Sequence, residues 1–408
     1  MSAFIDEVAD QVNLQWAWQK VRRQATSSDG WCNEIELAGF ELDLERNLES
    51  VGTKFATGVY TLKPLRPLPF PKRGDEQGEL KVRQTFQISV CDQVAWAAVV
   101  NIVGPYVDSQ MPPWSYGNRL YRSIWVEEDE SGTKRRKIGN YRHAAGRLYL
   151  PFNQGWPIFR RHVYLATRGM TENTGLPEVD EQTKAEEEFQ KQLGGKYRCP
   201  FVMGEYWQRR RPSNAGKGDL YWCALDLKQF YPSLKTAPIR DNIIGQLPEG
   251  WRAAATKLLN SMLSFPLDLS EWDSVELKAL GLGPNAAEFR NIPTGLYVAG
   301  SLANAALAKV DSQVVERLAN NRIAHFRYVD DHVVLAYCFD DLVEWVRTYR
   351  ELLRVSVRVP SSTSRRSNPP SSHDSRPVVR QGEAASVTIM PKNAPTWHAD
   401  SIQTFPRR

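Results

Sequence analysis

The clearest candidates for chemistry are two adjacent carboxylates, Asp330 and Asp331, within residues 326–335. Strand-forming residues precede and follow them, so the segment is predicted to be a hairpin with the acids at its tip. Neighbouring carboxylates repel each other unless they are protonated or neutralised by a cation, and hard divalent ions such as Mg²⁺ prefer oxygen ligands. The pair therefore predicts a metal site. An ordinary solvated Asp-Asp turn is the alternative.

A third carboxylate, Asp226, ends an apolar segment that begins at Tyr221, and the aromatic residues Phe230 and Tyr231 follow it. Taken alone, Asp226 could simply cap the next turn. Together with the paired acids it completes a set that can hold two metal ions, which bridge an attacking hydroxyl and a leaving phosphate. The combination predicts Asp226, Asp330 and Asp331 as catalytic, metal-binding residues.

Hydrophobic patterning predicts the elements that position these acids. An apolar strand runs into Asp226, two helices follow over 251–265 and 296–318, and two strands over 323–337 flank the paired acids. Residues 120–220 are predicted to alternate short aromatic strands with charged loops. These elements indicate an α+β fold, with an antiparallel sheet packed on helices.

Composition sets outer limits on the function. The 408 residues include 52 basic and 47 acidic side chains, and the net charge of +5 suits a polyanionic partner without identifying nucleic acid. The five cysteines are far apart and lack zinc-binding spacing. No segment has the pattern of a signal peptide or a membrane span, so we expect a cytoplasmic protein with no membrane partner.

The order and spacing of the motifs resemble those of the reverse transcriptases over roughly residues 80–337. Residues 226–233 are similar to the first catalytic palm motif of that family, and residues 328–331 match its Tyr-x-Asp-Asp signature. Residues 292–295 resemble its Pro-Gln-Gly motif, with Thr294 in place of the usual glutamine.

Two upstream segments, 83–94 and 115–119, resemble the fingers motifs of retron and group II intron enzymes but depart from them at three positions. These departures fit the divergent bacterial reverse transcriptases of the abortive-infection and unknown-group defence class. No maturase or endonuclease region is recognisable.

The resemblance implies a right-hand polymerase fold with fingers and palm, in which the thumb is missing or disrupted. The domains would be an N-terminal helical region at 1–60, fingers with an insertion at 61–220 and a palm at 221–345. Residues 346–408 are predicted to be a helix end and a disordered or frameshifted tail. Ser, Pro, Arg and Thr dominate the composition from about residue 355, and the lysine-bearing motif and the thumb helices of the family are not recognisable there. A genuine basic extension that binds nucleic acid is the alternative.

The activity implied by the resemblance is RNA-directed DNA synthesis from deoxynucleoside triphosphates by two-metal transfer, in bacterial antiviral defence. The cofactor would be two Mg²⁺ ions, with Mn²⁺ as an alternative. Lys81 and Arg83 would contact the triphosphate, or else form a solvated strand face. Tyr231 would lie under the incoming sugar, or else be a core aromatic residue. Gly295 would let the backbone approach the nucleotide or template closely.

The implied partners are an RNA or DNA template and primer, deoxynucleoside triphosphates, and a non-coding RNA or accessory protein. Two other functions stay open: untemplated DNA synthesis by the same site, and a catalytically inactive scaffold that binds nucleic acid. An RNA-dependent RNA polymerase is disfavoured, because such enzymes usually carry glycine before the paired aspartates and a polar residue in place of Tyr231.

Overall fold

The computed structural model shows a mixed fold of helices and small antiparallel sheets, which is the α+β class that the hydrophobic patterning predicted. It describes residues 2–27, 32–72, 81–128, 130, 132, 134–142, 144–171, 220–227, 230–283, 285–318, 322–357 and 385–389.

The helices, in chain order, are α1 (Ala3–Ala9), α2 (Gln11–Ser27), α3 (Glu34–Leu42), α4 (Leu44–Ala56), α5 (Val90–Gln110), α6 (Phe152–Thr171), α7 (Phe230–Ser233), α8 (Thr236–Gln246), α9 (Glu249–Met262), α10 (Ser274–Ala279), α11 (Ala299–Leu318) and α12 (Phe339–Val357). The strands are β1 (Arg66–Lys72), β2 (Lys81–Gln87), β3 (Arg122–Glu128), β4 (Lys134–Tyr141), β5 (Tyr221–Leu227), β6 (Phe265–Pro266), β7 (Glu288–Phe289), β8 (Ile323–Tyr328), β9 (Asp331–Ala336) and β10 (Ala385–Ile389).

The central sheet carries all three candidate acids. Its strand order is β10-β5-β9-β8, and every pairing is antiparallel. β8 and β9 form the hairpin that was predicted around the paired acids, because β-branched and aromatic residues on both strands favour a pleated sheet. The acids therefore sit at one end of this sheet.

The two faces of the sheet are covered by different elements. Residues directly opposite each other on antiparallel strands share a face, which assigns each residue to one of the two. The face that carries Arg327 and His332 packs on the main core, against α11 and α12. On the other face, α6 covers the β8 side with a second, smaller core that includes Phe159 and Phe326. The β5 side of that second face is open, with Ala224 and Asp226 exposed.

Helix α5 lies at the centre of the main core, with α1, α2, α3 and α4 packed around it. It begins at an N-cap, where the Ser89 hydroxyl accepts a hydrogen bond from the Asp92 amide. By length and composition α5 could also cross a membrane, a property that the sequence analysis assigned to no segment. In the structure 89% of its apolar window is buried inside the protein, as in a core helix.

The structure departs from the sequence-based expectation in two places. Residues 152–171, predicted to be short strands and loops, form the single helix α6. Within the segment predicted to be a disordered or frameshifted tail, β10 pairs with β5 and places Ser386 opposite Asp226. A composition averaged over the whole tail misses a five-residue strand rich in β-branched residues. Residues 358–384 and 390–408 of the tail lie outside the described part of the chain.

Candidate active site

The structure brings the three predicted acids together at the tip of the β8–β9 hairpin. Asp331 is the register partner of Asp226 on β5 and of Tyr328 on β8. The Leu227 amide donates a hydrogen bond to the Asp330 carbonyl oxygen over 3.3 Å, which places the turn beside the end of β5. Side chains that are directly opposite on antiparallel strands have Cβ atoms about 5 Å apart. Asp226 and Asp331 are therefore neighbours on one face.

The acids repel one another, and their protonation reflects it. Burial, together with the charges of Asp331 and Asp226, raises the pKa of Asp330 to about 6, and the nearby Arg83 opposes the shift. Burial and the charge of Asp226 also raise the pKa of Asp331. Burial and mutual repulsion therefore both disfavour the ionised forms of Asp330 and Asp331.

The three carboxylates suit a hard divalent cation whose remaining coordination positions are filled by water or by a bound substrate. All three side chains offer carboxylate oxygens, which Mg²⁺ prefers. Among the described residues, no group of three or more His, Cys, Asp and Glu side chains is placed to hold a metal ion. Mg²⁺ commonly binds through one or two carboxylates, with waters and substrate phosphates completing its shell. An open pair of carboxylates, with Asp330 beside it, fits that kind of site.

The hairpin turn is strained and tightly supported. Val329 has φ 61°, a left-handed conformation that is a genuine outlier for a β-branched residue. A Cβ added to Gly117 would lie 2.3 Å from the Val329 amide nitrogen, so only glycine lets this neighbouring segment pass under the turn. Backbone strain of this kind persists where the surroundings enforce it, and it clusters at functional sites.

A buried histidine supports the same turn from the opposite face. His332 Nδ1 lies 2.9 Å from the Asp330 carbonyl oxygen, and its Nε2 lies 2.9 Å from the Tyr349 hydroxyl on α12. Burial lowers the pKa of His332 to about 3, so the ring is neutral at pH 7. Because a carbonyl oxygen can only accept, Nδ1 carries the proton and Nε2 accepts from the Tyr349 hydroxyl. α12 is thereby connected to the acidic turn.

Tyr231 lies close to the acids, on the one-turn helix α7. Its hydroxyl accepts a hydrogen bond from Asn118 Nδ2 over 3.1 Å. Burial raises its pKa to about 12, with a smaller contribution from the charge of Asp330. Asn118 itself has φ 53°, and Asn304 on α11 donates to its carbonyl oxygen over 3.2 Å. The position of the Tyr231 ring is therefore defined by three separate segments of the chain.

The two predicted phosphate contacts lie on β2. Arg83 is exposed and close enough to Asp330 to oppose the rise in its pKa. Lys81 begins the same strand, and its side chain lies outside the described part of the structure. The location of Arg83 thus agrees with a role near the acids, whereas the role of Lys81 stays a prediction.

Gly295 makes a close backbone approach, as its residue type suggested, but to another part of the protein. It has φ 112°, and an added Cβ would lie 2.4 Å from the Phe86 carbonyl oxygen on β2. Its own carbonyl oxygen accepts a hydrogen bond from Gln93 Nε2 over 2.8 Å. The glycine therefore anchors the strand that carries Arg83. Its contact with a nucleotide or template stays a prediction.

Sequence reasoning missed three residues that shape this site: Asn118, Val329 and His332. Asn118 carried a usable signal, because asparagine is enriched among residues with positive φ and in turns. Val329 and His332 carried none. Their roles depend on a segment passing under the turn and on a partner in α12, and both of these are long-range contacts.

No protein-family model matches the chain, and no curated protein matches it. One of the solved structures that resemble it is an apo telomerase from Candida tropicalis truncated from the C-terminal domain, at a TM-score of 0.27 and 12% sequence identity. The likeness covers 72% of this chain and spans 60% of the telomerase chain. At this TM-score it supports no conclusion about function.

Proposed function

We propose that this protein is a nucleic-acid polymerase of the reverse-transcriptase type, which joins deoxynucleoside triphosphates to a primer by two-metal nucleotidyl transfer. The observation that carries the proposal is the placement of Asp226 opposite Asp331 on an open sheet face, with Asp330 in the adjoining turn. Burial and the neighbouring carboxylate charges raise the pKa values of Asp330 and Asp331, so a nearby positive charge would favour their ionised forms. A divalent cation would supply that charge.

In this proposal Asp226 and Asp330 would hold two Mg²⁺ ions, and Asp331 would support them. When bound, the ions would activate the primer hydroxyl and stabilise the pyrophosphate leaving group. Arg83 would balance phosphate charge on the β2 side of the site. Tyr231 would lie under the sugar, where its ring leaves no space for a 2′-hydroxyl. The supported turn would keep Asp330 fixed during transfer.

The finer assignments also belong to the proposal. The sheet formed by β5, β9 and β8 would be the palm, and the paired strands β1 and β2 with their neighbouring residues would belong to the fingers. The template would be RNA or DNA. A non-coding RNA or accessory protein would be a further partner, and the setting would be cytoplasmic antiviral defence. These last assignments rest on the motif resemblance alone.

Incorporation assays with the purified full-length chain test the proposal. The protein is incubated with Mg²⁺ or Mn²⁺ and labelled deoxynucleotides, in parallel with an RNA template, a DNA template and no added strand. DNA complementary to the RNA supports reverse transcription. Equal synthesis without any template supports untemplated polymerisation by the same site. Strand binding with no incorporation under any of these conditions would reject polymerase activity in favour of a nucleic-acid-binding scaffold.

A further inference from the structure

A stripe of planar side chains runs along the outer surface of α6. Phe152, Trp156, Arg160 and Tyr164 recur at every fourth position, so they follow one side of the helix. The Phe152 and Trp156 rings stack with centroids 5.5 Å apart and an interplanar angle of 17°. Phe152 is 63% exposed and Tyr164 is 47% exposed. The Phe152 and Tyr164 rings therefore present planar surface to solvent, while Trp156 is half-buried against the second core.

One end of the stripe lies at the candidate active site. The ring centroids of Trp156 and Phe152 lie 5.0 and 5.7 Å from that of Tyr328, both edge-on. Tyr328 is opposite Asp331, so it shares the sheet face that carries the acids. Because a helix rises about 1.5 Å per residue, Tyr164 lies about 18 Å along the axis from Phe152. The stripe leads from the acids toward the other end of the helix.

The charge of α6 complements a polyanion. The sequence of this 20-residue helix contains three arginines and no acidic residue. Arg160 lies within the stripe and Arg161 lies beside it, and neither makes an ion pair with any of the described residues. A guanidinium can stack on a base and also contact phosphate. The helix thus combines stacking surface with unbalanced positive charge.

We infer that the α6 stripe is a binding track for single-stranded nucleic acid, on which successive bases stack as the strand leaves the acidic site. Aromatic rings bind bases of any sequence because every base has a flat π surface. The arginines would contact the phosphates between them. The inference rests on the proposed function, since it assigns a surface to the strand that a polymerase must hold.

The test is binding of a short fluorescein-labelled oligonucleotide, followed by fluorescence anisotropy without divalent ion or nucleotide. A strand with bases is compared with an abasic strand of equal length, and DNA with RNA of the same sequence. Stacking predicts tighter binding of the base-containing strand. Phe152→Leu and Tyr164→Leu should each weaken that binding about tenfold and leave the abasic strand unaffected. A preference for DNA or for RNA identifies which polynucleotide the track serves.

Two further variants separate stacking from charge. Arg161→Gln should weaken binding of both strands and reduce the slope of log affinity against log salt by about one. Phe339→Leu is the matched control, because Phe339 is 40% exposed and packs edge-on against Tyr221, at the far end of β5 from Asp226. It should change neither affinity. Circular dichroism of each variant checks that the fold is intact.

Equal affinity for base-containing and abasic strands would overturn the inference, as would unchanged binding by both Leu variants. The proposed function is tested separately with Asp330→Asn, which should end incorporation but bind the oligonucleotide as the wild type does. If Asp330→Asn still incorporates nucleotides while the Leu variants lose binding, the assigned acidic site fails and the track stands. If Asp330→Asn is inactive and the Leu variants bind normally, only the track fails.

Discussion

The charged residues on the two faces of the central sheet are arranged in opposite ways: they form an ion pair on one face and lie beside a like charge on the other. On the face toward the main core, Arg327 is completely buried, and its Nη2 donates to Asp311 Oδ2 over 2.6 Å. On the open face, Asp226 and Asp331 lie opposite each other with like charge and remain exposed. A charge paired inside the protein contributes to structure. Adjacent like charges on an open face favour binding of a cation from solution, and perturbed carboxyl groups of this kind cluster at functional sites.

The buried face also contains neutral polar groups that are paired with one another. Trp345 Nε1 donates to His325 Nδ1 over 3.1 Å, and the His332 and Tyr349 side chains are hydrogen-bonded 2.9 Å apart. Burial lowers the pKa of both histidines, which keeps them uncharged. We therefore expect substitutions on the buried face to reduce stability, and substitutions on the open face to reduce chemistry with little loss of stability.

The largest expected effect is that of Asp330→Asn on catalysis. The amide has the same size but cannot balance the charge of a metal ion, so incorporation should fall below detection. The free energy of unfolding should not decrease, because the substitution removes a carboxylate that its neighbours repel. Incorporation assays and urea denaturation measure the two quantities.

Asp241→Asn is the matched control for that experiment, since Asp241 is a solvent-exposed acid on α8 that pairs with Arg240. It should incorporate nucleotides at the wild-type rate. Wild-type incorporation by Asp330→Asn would show that the chemistry occurs elsewhere in the protein.

Arg327→Met should produce the largest loss of stability. It leaves the Asp311 carboxylate buried without its partner, which costs about 3–5 kcal/mol. Combining it with Asp311→Leu removes both charges and should recover most of this loss. Urea denaturation of the single and double variants measures the difference. If Arg327→Met unfolds at the wild-type urea concentration, the buried face does not depend on this ion pair.

Tyr231 and Phe230 are adjacent on α7, but Tyr231 lies close to the acids and Phe230 lies in the main core. Tyr231→Ala should raise ribonucleotide incorporation relative to deoxynucleotide incorporation about 10–100-fold, because it opens space for the 2′-hydroxyl. Phe230 is 5% exposed and packs in the main core, so Phe230→Ala should instead cost about 3–5 kcal/mol of stability. The incorporation ratio and urea denaturation are measured for both variants. A relaxed ratio in Phe230→Ala alone would reverse the two roles.

The smallest effect expected is that of Asn118→Gly, which keeps the positive φ but removes the hydrogen bond to Tyr231. A neutral hydrogen bond contributes about 1 kcal/mol, so sugar discrimination should weaken several-fold. Tyr231→Phe removes the same bond from the other side and should have a similar effect. The double variant should be no worse than either single one. Additive losses would mean that Asn118 acts independently of Tyr231.

The amino-acid sequence was sufficient for the α+β class, for the hairpin around Asp330 and for the strand that carries Asp226 near its end. These features depend on local patterns: alternation of apolar residues, β-branched content and the placement of acids next to strands. The grouping of Asp226 with Asp330 and Asp331 was inferred from the carboxylates that a two-metal site needs. No local pattern shows that Asp226 lies opposite Asp331, because 105 positions along the chain separate them.

Several features of the site depended on contacts between distant segments. Phe230 and Tyr231 lie in one helical turn, not on a strand, where adjacent side chains would face opposite ways. Packing in the main core buries Phe230, and the hydrogen bond from Asn118 orients Tyr231. The helix α6 was predicted as strands and loops, since its aromatic residues favour strands locally. Its helical form is set by packing, because Phe159, Ala166 and Met170 lie buried in the second core. Likewise, no local pattern shows that Gly117 passes under Val329, or that Gly295 lies against β2. Such close approaches are set by how the segments pack, which a pattern of neighbouring residues does not encode.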